Sequence, residues 1–389
     1  MKWEIRVGSI SWYLNCIPKN VRSSIQNFYC EDASLFKINM KKIISVIGAR
    51  PQFIKHAPMQ LALQKKFKSV TIHTGQHYDE NMSNVFFNEL QISKPDYLFD
   101  IGGSKPQGEQ TAIMMTEIEK VCLFENPDAL LIYGDTNSTL AGCLVAAKLN
   151  IKIIHIEAGL RSFNRSMPEE VNRIVADIFS FLLFCPTISA VDNLKKEGIS
   201  HDRVFVTGDV MCDMLELVSP QAKKILKEEY YFATIHRPYN TDESKRIKLI
   251  LENLNGLDHK VILPMHPRTL ARMKSFDIRI DDLKNLQIIE PVGYIESISY
   301  QKFANCIITD SGGIQKEAYM LGVKCITLRS ETEWTETLNG GWNTLVFDNI
   351  NDLKNVIKAS VSNYQQNLYG DGHAAEAIVD IISEQLDYQ

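Results

Sequence analysis

The chain has 389 residues, enough at ~150 residues per domain for two or three domains with real hydrophobic cores. Lys and Arg total 42 against 47 Asp and Glu, a net charge of -5, so the overall field repels nucleic acid and an anionic ligand has to be held by local geometry. With 45% hydrophobic and 23% charged residues and no low-complexity tract, most of the chain is excluded from disorder.

Residues 1–39 carry scattered charges (Glu4, Arg6, Lys19, Arg22) instead of the ordered regions of a signal peptide, so the expected compartment is the cytoplasm. This extension, which precedes a second methionine at Met40, is expected to lie outside the catalytic core and to be poorly ordered. The longest apolar stretch, Ile174 to Pro186, is interrupted by Asp177 and Ser180 and is too short to span a membrane, so no membrane insertion is expected. The cysteines form no C-x-x-C pair and several sit in apolar contexts, which points to buried free thiols under reducing conditions.

Short β-branched runs then alternate with longer helical patterns, the signature of βαβ units and parallel sheets. Strands are predicted at Ile43–Ile47, Val70–Thr74, Ala129–Tyr133, Lys152–Ile156, Leu182–Cys185 and Val204–Thr207. A second series is predicted at Tyr231–Ile235, Val261–Pro264, Leu286–Ile289, Cys306–Thr309, Cys325–Leu328 and Asn343–Val346. Two doubly wound domains of about six strands fit this count better than one very wide sheet, with a seam between Gly208 and Glu229. In such folds ligands bind beyond the carboxyl ends of the strands, so the residues just after each strand are the informative ones.

The first strand runs into Gly48-Ala49-Arg50-Pro51-Gln52, a small-residue turn that opens a helix beside a guanidinium, which suits an anion. An ordinary tight turn with a solvent-facing arginine has the same spacing. Asp135 and Glu157 follow the third and fourth strands, and two carboxylates at neighbouring strand ends are how proton transfers are staged. Each alone also fits a helix cap. Pro168-Glu169-Glu170 starts another helix, where acids favour the dipole without any chemistry, and Glu169 and Arg173 are spaced like a surface pair.

In the second series His236 and His266 follow strands, as acid/base groups, phosphate donors or structural histidines. The strongest local signal is Thr309-Asp310-Ser311-Gly312-Gly313-Ile314-Gln315-Lys316-Glu317. A strand, a Ser-Gly-Gly turn and a helix put backbone N–H groups and a hydroxyl on a diphosphate, and Glu317 one turn on can accept hydrogen bonds from a ribose diol. No metal is expected, because the nine histidines are dispersed and no metal-binding motif is present. No G-x-G-x-x-G follows a strand either, so a dinucleotide has no fingerprint.

Gly-Ala-Arg-Pro-Gln at 48–52, Gly-Asp-Thr at 134–136, His-Ile-Glu-Ala-Gly-Leu-Arg at 155–161, Pro-Glu-Glu-Val-Asn-Arg at 168–173 and Asp-Ser-Gly-Gly-Ile-Gln at 310–315 together resemble the non-hydrolysing UDP-N-acetylglucosamine 2-epimerase family, in collinear order over roughly residues 41 to 385. The resemblance implies a GT-B fold: a Rossmann-like domain at 41–207, a UDP-binding Rossmann-like domain at 208–365, and a final helix within 366–389 that crosses back. It implies elimination of UDP by removal of the C2 proton, then re-addition with C2 reprotonated on the other face, without a cofactor. Asp135, Glu157, Glu169 and His236 fall at the acid/base positions, and Arg50, Arg173, His266, Arg268, Ser311, Gly312, Gly313 and Glu317 at those that bind the UDP-sugar. A homodimer is expected on the same ground.

Two departures bear on the substrate. Residues 265–268 read Met-His-Pro-Arg where the UDP-N-acetylglucosamine enzymes usually carry Asn between His and Pro. The stretch from Ser330 through Glu336 and on to Asn343 looks more like the branch that acts on UDP-2,3-diacetamido-2,3-dideoxy-glucuronate, so that sugar stands as the alternative to UDP-N-acetylglucosamine. For a uronate, Arg268 and Arg329 are the candidate readers of the extra carboxylate. Gln76 and His77 are similar to a loop that holds an activating UDP-N-acetylglucosamine in bacterial members, but Tyr78-Asp79 follow where Arg-Glu is usual. A hydrolysing 2-epimerase, a GT-B glycosyltransferase and a non-catalytic nucleotide-sugar binder remain as rival readings.

Overall fold

The computed structural model describes residues 40–76, 93–101, 105–279 and 282–387. The expectations for residues 1–39 and for His77 lie outside the described residues. Those from Lys42 onward form one compact unit that contains two sheets.

The first sheet comprises β1 (Lys42–Ile47), β2 (Lys68–His73), β3 (Tyr97–Leu98), β4 (Ala129–Tyr133), β5 (Lys152–Ile156), β6 (Leu182–Cys185) and β7 (Val204–Val206), in the order β3-β2-β1-β4-β5-β6-β7. The second comprises β8 (Tyr230–Thr234), β9 (Lys260–Pro264), β10 (Leu286–Ile289), β11 (Cys306–Thr309), β12 (Cys325–Thr327) and β13 (Asn343–Leu345), in the order β10-β9-β8-β11-β12-β13. Neighbouring strands pair in parallel, as in β1 with β4 and β8 with β11. The expected strands are present with ends shifted by a residue or two, and β3 is the addition. At two residues, Tyr97 and Leu98, it is too short to carry a periodicity.

Both faces of each sheet are covered, which is why the strands read as apolar runs. Along β1 the side chains alternate: Ile43 and Ile47 pack with Leu131 and Tyr133 on one face, and Ile44 and Val46 with Leu130 and Ile132 on the other. The helix Ala374–Asp387 lays Ala375, Ile378, Val379, Ile382 and Leu386 against the first of these faces, so the end of the chain completes the core of the first sheet. In the second sheet, Tyr231, Ala233, Val261 and Leu263 meet Ile247, Ile250, Leu251 and Leu254, the apolar stripe of the helix Ser244–Asn255.

The helix Val210–Val218 lies between the last strand of the first sheet and the first strand of the second and packs against both halves. Its Met211, Met214 and Leu215 pack with Ile54 and Ala57 on one side and with Tyr294 and Ile298 on the other. Cys122, Cys143, Cys185, Cys212, Cys306 and Cys325 are buried and free, as expected. No described helix is long and apolar enough to cross a membrane.

The chain reverses its direction of travel between β1 and β4 in one sheet and between β8 and β11 in the other. These are the two places where doubly wound sheets open a crevice beyond their carboxyl ends.

Candidate active site

At the first crevice Gln52 ties the two strand ends together. Its Oε1 accepts from the backbone N–H groups of Gly48 at 2.8 Å and Ala49 at 3.1 Å, while its Nε2 donates to the Tyr133 carbonyl at 2.9 Å and to Thr136 Oγ1 at 2.9 Å. Arg50 begins the helix Arg50–Leu63 beside it, and its charge acts across the cleft on His266, Tyr294 and Glu317.

Asp135 follows Gly134, whose φ of +59° is the left-handed conformation that favours glycine. The Asp135 carboxylate pairs with Arg173, which also donates to Glu170 at 2.9 Å. Arg173 is thus a buried bridge between two acids, not the surface partner of Glu169 that the spacing suggested. Burial works against its charge, but Asp135, Glu333 and Glu170 outweigh that and hold the guanidinium firmly cationic. Glu169 faces the second half instead, with Oε1 3.9 Å from Arg237 Nη1. Glu170 anchors the preceding loop through the N–H groups of Ser162 and Phe163, both at 2.9 Å.

Glu157 follows β5 at φ +67°, a left-handed backbone that is costly for a residue with a Cβ. It is 8% exposed and pairs with Lys55 and with Lys316, the latter at 2.8 Å. Beneath it, His155 Nε2 donates to the Gly134 carbonyl at 2.9 Å, its Nδ1 lies 2.7 Å from Asp177 Oδ1, and Arg161 closes on Asp177 at 2.7 Å. This buried network links the ends of β4 and β5 through Gly134, Gly159 and the helix Pro168–Phe179.

At the second crevice Asp310 receives the backbone N–H groups of His236 and Arg237 and lies 3.0 Å from His236 Nδ1. Held by that nitrogen, the ring presents Nε2 outward. Burial raises the Asp310 carboxyl, but His236 and the N–H donors hold it below the usual carboxylate range. The His266 ring stands 5.6 Å from that of His236, and its Nδ1 accepts from the Arg268 N–H at 3.2 Å, capping the helix Pro267–Ser275. Burial and the neighbouring His236 push His266 below the usual histidine value, so it stays neutral with Nε2–H as a donor.

Ser311 is the N-cap of the helix Gly312–Met320. A Cβ on Gly312 would come 2.6 Å from Glu333 Oε1, so a larger residue there would displace that carboxylate. Gly313 stands open, and the helix start offers unpaired N–H groups to an anion. Glu317 lies one turn further in, is fully buried, and accepts from Gln301 Nε2 at 2.7 Å. Burial pushes its carboxyl above the usual range. Arg268 is exposed and held by Asp242 at 2.7 Å, whereas the buried Arg329 is held by Glu333 at 2.9 Å. Gln76 is buried in the first half and accepts from Ser138.

The candidates therefore gather at the two crevices, and cross-half contacts bring these together, among them Glu157 with Lys316, Glu169 with Arg237, and Asn164 with Glu331 at 3.1 Å. Gln52, Lys55, Asp310 and Lys316 complete the site, and local sequence does not mark them: Gln52, Asp310 and Lys316 sit in the turn motifs at 48–52 and 309–317, but their partners are far away in the chain.

Two doubly wound parallel sheets whose switch points open on one cleft define a GT-B nucleotide-sugar enzyme. The family model described as UDP-N-acetylglucosamine 2-epimerase matches residues 59–383. A UDP-N-acetylglucosamine 2-epimerase homolog of Methanococcus maripaludis is 46% identical over 355 residues, covering 88% of this chain and 99% of its own. UDP-2,3-diacetamido-2,3-dideoxy-D-glucuronate 2-epimerase of Pseudomonas aeruginosa is 43% identical with the same coverage. The structure of Methanocaldococcus jannaschii UDP-GlcNAc 2-epimerase in complex with UDP-GlcNAc and UDP superposes with a TM-score of 0.82 at 42% identity, covering 88% of this chain and 99% of that one. The chain belongs to the UDP-N-acetylglucosamine 2-epimerase family and is an isomerase.

Proposed function

We propose that the enzyme interconverts UDP-N-acetylglucosamine and UDP-N-acetylmannosamine by removing the C2 proton, releasing UDP and adding it back with C2 reprotonated on the opposite face. The supporting observation is the opposition, across one cleft, of Asp135, Glu157 and Glu169 to His236, His266 and the Ser311-Gly312-Gly313 helix start. Inversion at a carbon with no adjacent carbonyl needs proton carriers on both faces and a well-held leaving diphosphate. The first half supplies the acids. The second half supplies donors for the diphosphate and Glu317 for the ribose. Elimination followed by addition leaves the sugar at its starting oxidation level, so the route closes without a redox cofactor. The M. jannaschii relative, solved with UDP-GlcNAc and UDP, supports a UDP-sugar substrate.

The choice of sugar rests on the two arginines. Arg268 and Arg329 are already engaged by Asp242 and Glu333, so a uronate carboxylate would have to compete for either one. This favours UDP-N-acetylglucosamine over the diacetamido uronate. We read the functional unit as a homodimer, on the exposed apolar side chains Val171, Ile178 and Phe179 of the helix Pro168–Phe179.

The test is incubation with each UDP-sugar in heavy water, followed by NMR. Deuterium at C2 of an epimerised UDP-sugar is expected, and Asp135→Asn, Glu157→Gln and Glu169→Gln should each lower turnover by ~10² or more with the fold intact. Free sugar accumulating with UDP would favour a hydrolysing enzyme. A C2 that keeps its proton through turnover would overturn the mechanism.

A further inference from the structure

Four charged groups meet where the two halves touch. Lys55 comes from the helix Arg50–Leu63, Glu157 from the residue just after β5, Asp209 from the N-cap of the helix Val210–Val218, and Lys316 from the helix Gly312–Met320 of the second half. Their exposures are 8% for Lys55 and Glu157, 2% for Asp209 and 1% for Lys316. Lys316 Nζ touches both acids, at 2.8 Å from Glu157 Oε1, and lies 3.9 Å from the ring centroid of Trp334. The quartet is neutral as a whole, two cations against two anions, but three of its members belong to the first half and the seam. Without Lys316, two buried carboxylates would share one ammonium, which such a dry setting does not tolerate in the doubly ionised form.

We propose that Lys316 is a positioning residue that carries a cation from the second half onto Glu157 and thereby ties the charge of that carboxylate to the apposition of the two halves. The face of Trp334 holds the ammonium against the acids, since a desolvated cation is favoured over an indole ring. Glu157 then meets the sugar as a carboxylate, able to accept the C2 proton or to stabilise positive charge. Proton donation falls to the other acids and to His236. This role rests on the epimerase reading.

Lys316 and Lys55 face Glu157 directly, Cys212 and Glu317 lie beyond the Lys316 ammonium, and Asp213, Tyr294 and Tyr369 face Asp209. Burial raises the Glu157 carboxyl, and the Lys316 and Lys55 charges overcome that and hold it below the usual range. The paired acids likewise keep Lys316 protonated against the pull of burial.

The experiment is a carboxyl ¹³C titration of Glu-labelled full-length chain, with the Glu157 signal assigned by its loss in Glu157→Gln. In the unsubstituted protein it should titrate below the usual glutamate range, and in Lys316→Met at least one pH unit higher. Lys316→Arg should restore the low value. The acidic limb of kcat/KM for UDP-N-acetylglucosamine should move by the same amount in Lys316→Met. An ordinary Glu157 titration in the unsubstituted protein overturns the proposal, even if no variant folds. So does an unshifted value in Lys316→Met. Because the titration needs no turnover, lack of epimerase activity would sink the functional reading separately.

Discussion

Asp310 holds His236 twice, by its backbone N–H at 3.0 Å and by its ring nitrogen Nδ1 at 3.0 Å. The carboxylate fixes where the ring stands and which nitrogen is left for the cleft. It also receives Arg237 N–H at 2.9 Å and Asn240 Nδ2 at 3.1 Å, so the loop after β8 is built around it.

Asp310→Asn removes the charge that orients and stabilises the ring while keeping the shape. A fall in kcat of ~10² or more is expected, with a much smaller change in KM, because general acid–base groups act on the chemical step. Steady-state kinetics over pH 6–9 would check it, and a kcat within a factor of three of the parent would remove His236 from the proton traffic.

Asp177 makes a pH prediction about stability. Burial raises its carboxyl, but His155 and Arg161 overcome this and hold it below the usual value, so its folded form binds a proton less readily than its unfolded form. Its stabilising contribution is therefore present above about pH 4 and is lost as pH falls through the lower folded value. Asp177→Asn should cost about 3–5 kcal/mol near neutrality, as expected for breaking a buried ion pair. Denaturant unfolding at pH 7 and pH 3.5 should show that gap narrowing in acid, and a gap that stays constant contradicts the assignment.

Glu317→Gln should weaken UDP binding by ~10-fold or more while kcat at saturation changes less. The ribose is remote from C2, and uniform binding energy appears in KM. Calorimetric titration with UDP, set beside kcat, separates the two. The reverse pattern, intact UDP affinity with collapsed kcat, would move Glu317 into the chemistry.

Arg268 is exposed and committed to Asp242, so Arg268→Ala should change kcat/KM for UDP-N-acetylglucosamine and for the diacetamido uronate by similar, small factors. Competition between the two sugars measures this directly. A loss of ~10² or more confined to the uronate would make Arg268 the reader of its carboxylate and reverse the substrate choice.

Much of this architecture was legible because buried parallel strands are written as contiguous apolar runs. β4, β5, β6, β10 and β11 begin and end where their residues predict. The two-residue β3 had no run to read. Strand ends also gave the acids and histidines of the cleft, since the sheet topology makes those positions the mouth of the site. The partners were not legible. Lys316 and Glu157 are 159 residues apart, Asp310 and His236 are 74 apart, and nothing local in either stretch signals the other. Arg173 shows the same limit, for helical spacing offered Glu169 as its partner while the fold gave it Asp135 and Glu170.

The final helix, Ala374–Asp387, belongs by packing to a sheet whose strands all precede residue 207. During synthesis the first half therefore emerges with Ile43, Leu63 and Leu131 lacking their cover, and waits for the whole second half to be made. A chain cut short before Ala374 would keep each of the residues proposed for the cleft and yet leave an apolar face open to aggregation, so this 14-residue helix bears on the yield of folded enzyme without touching its chemistry.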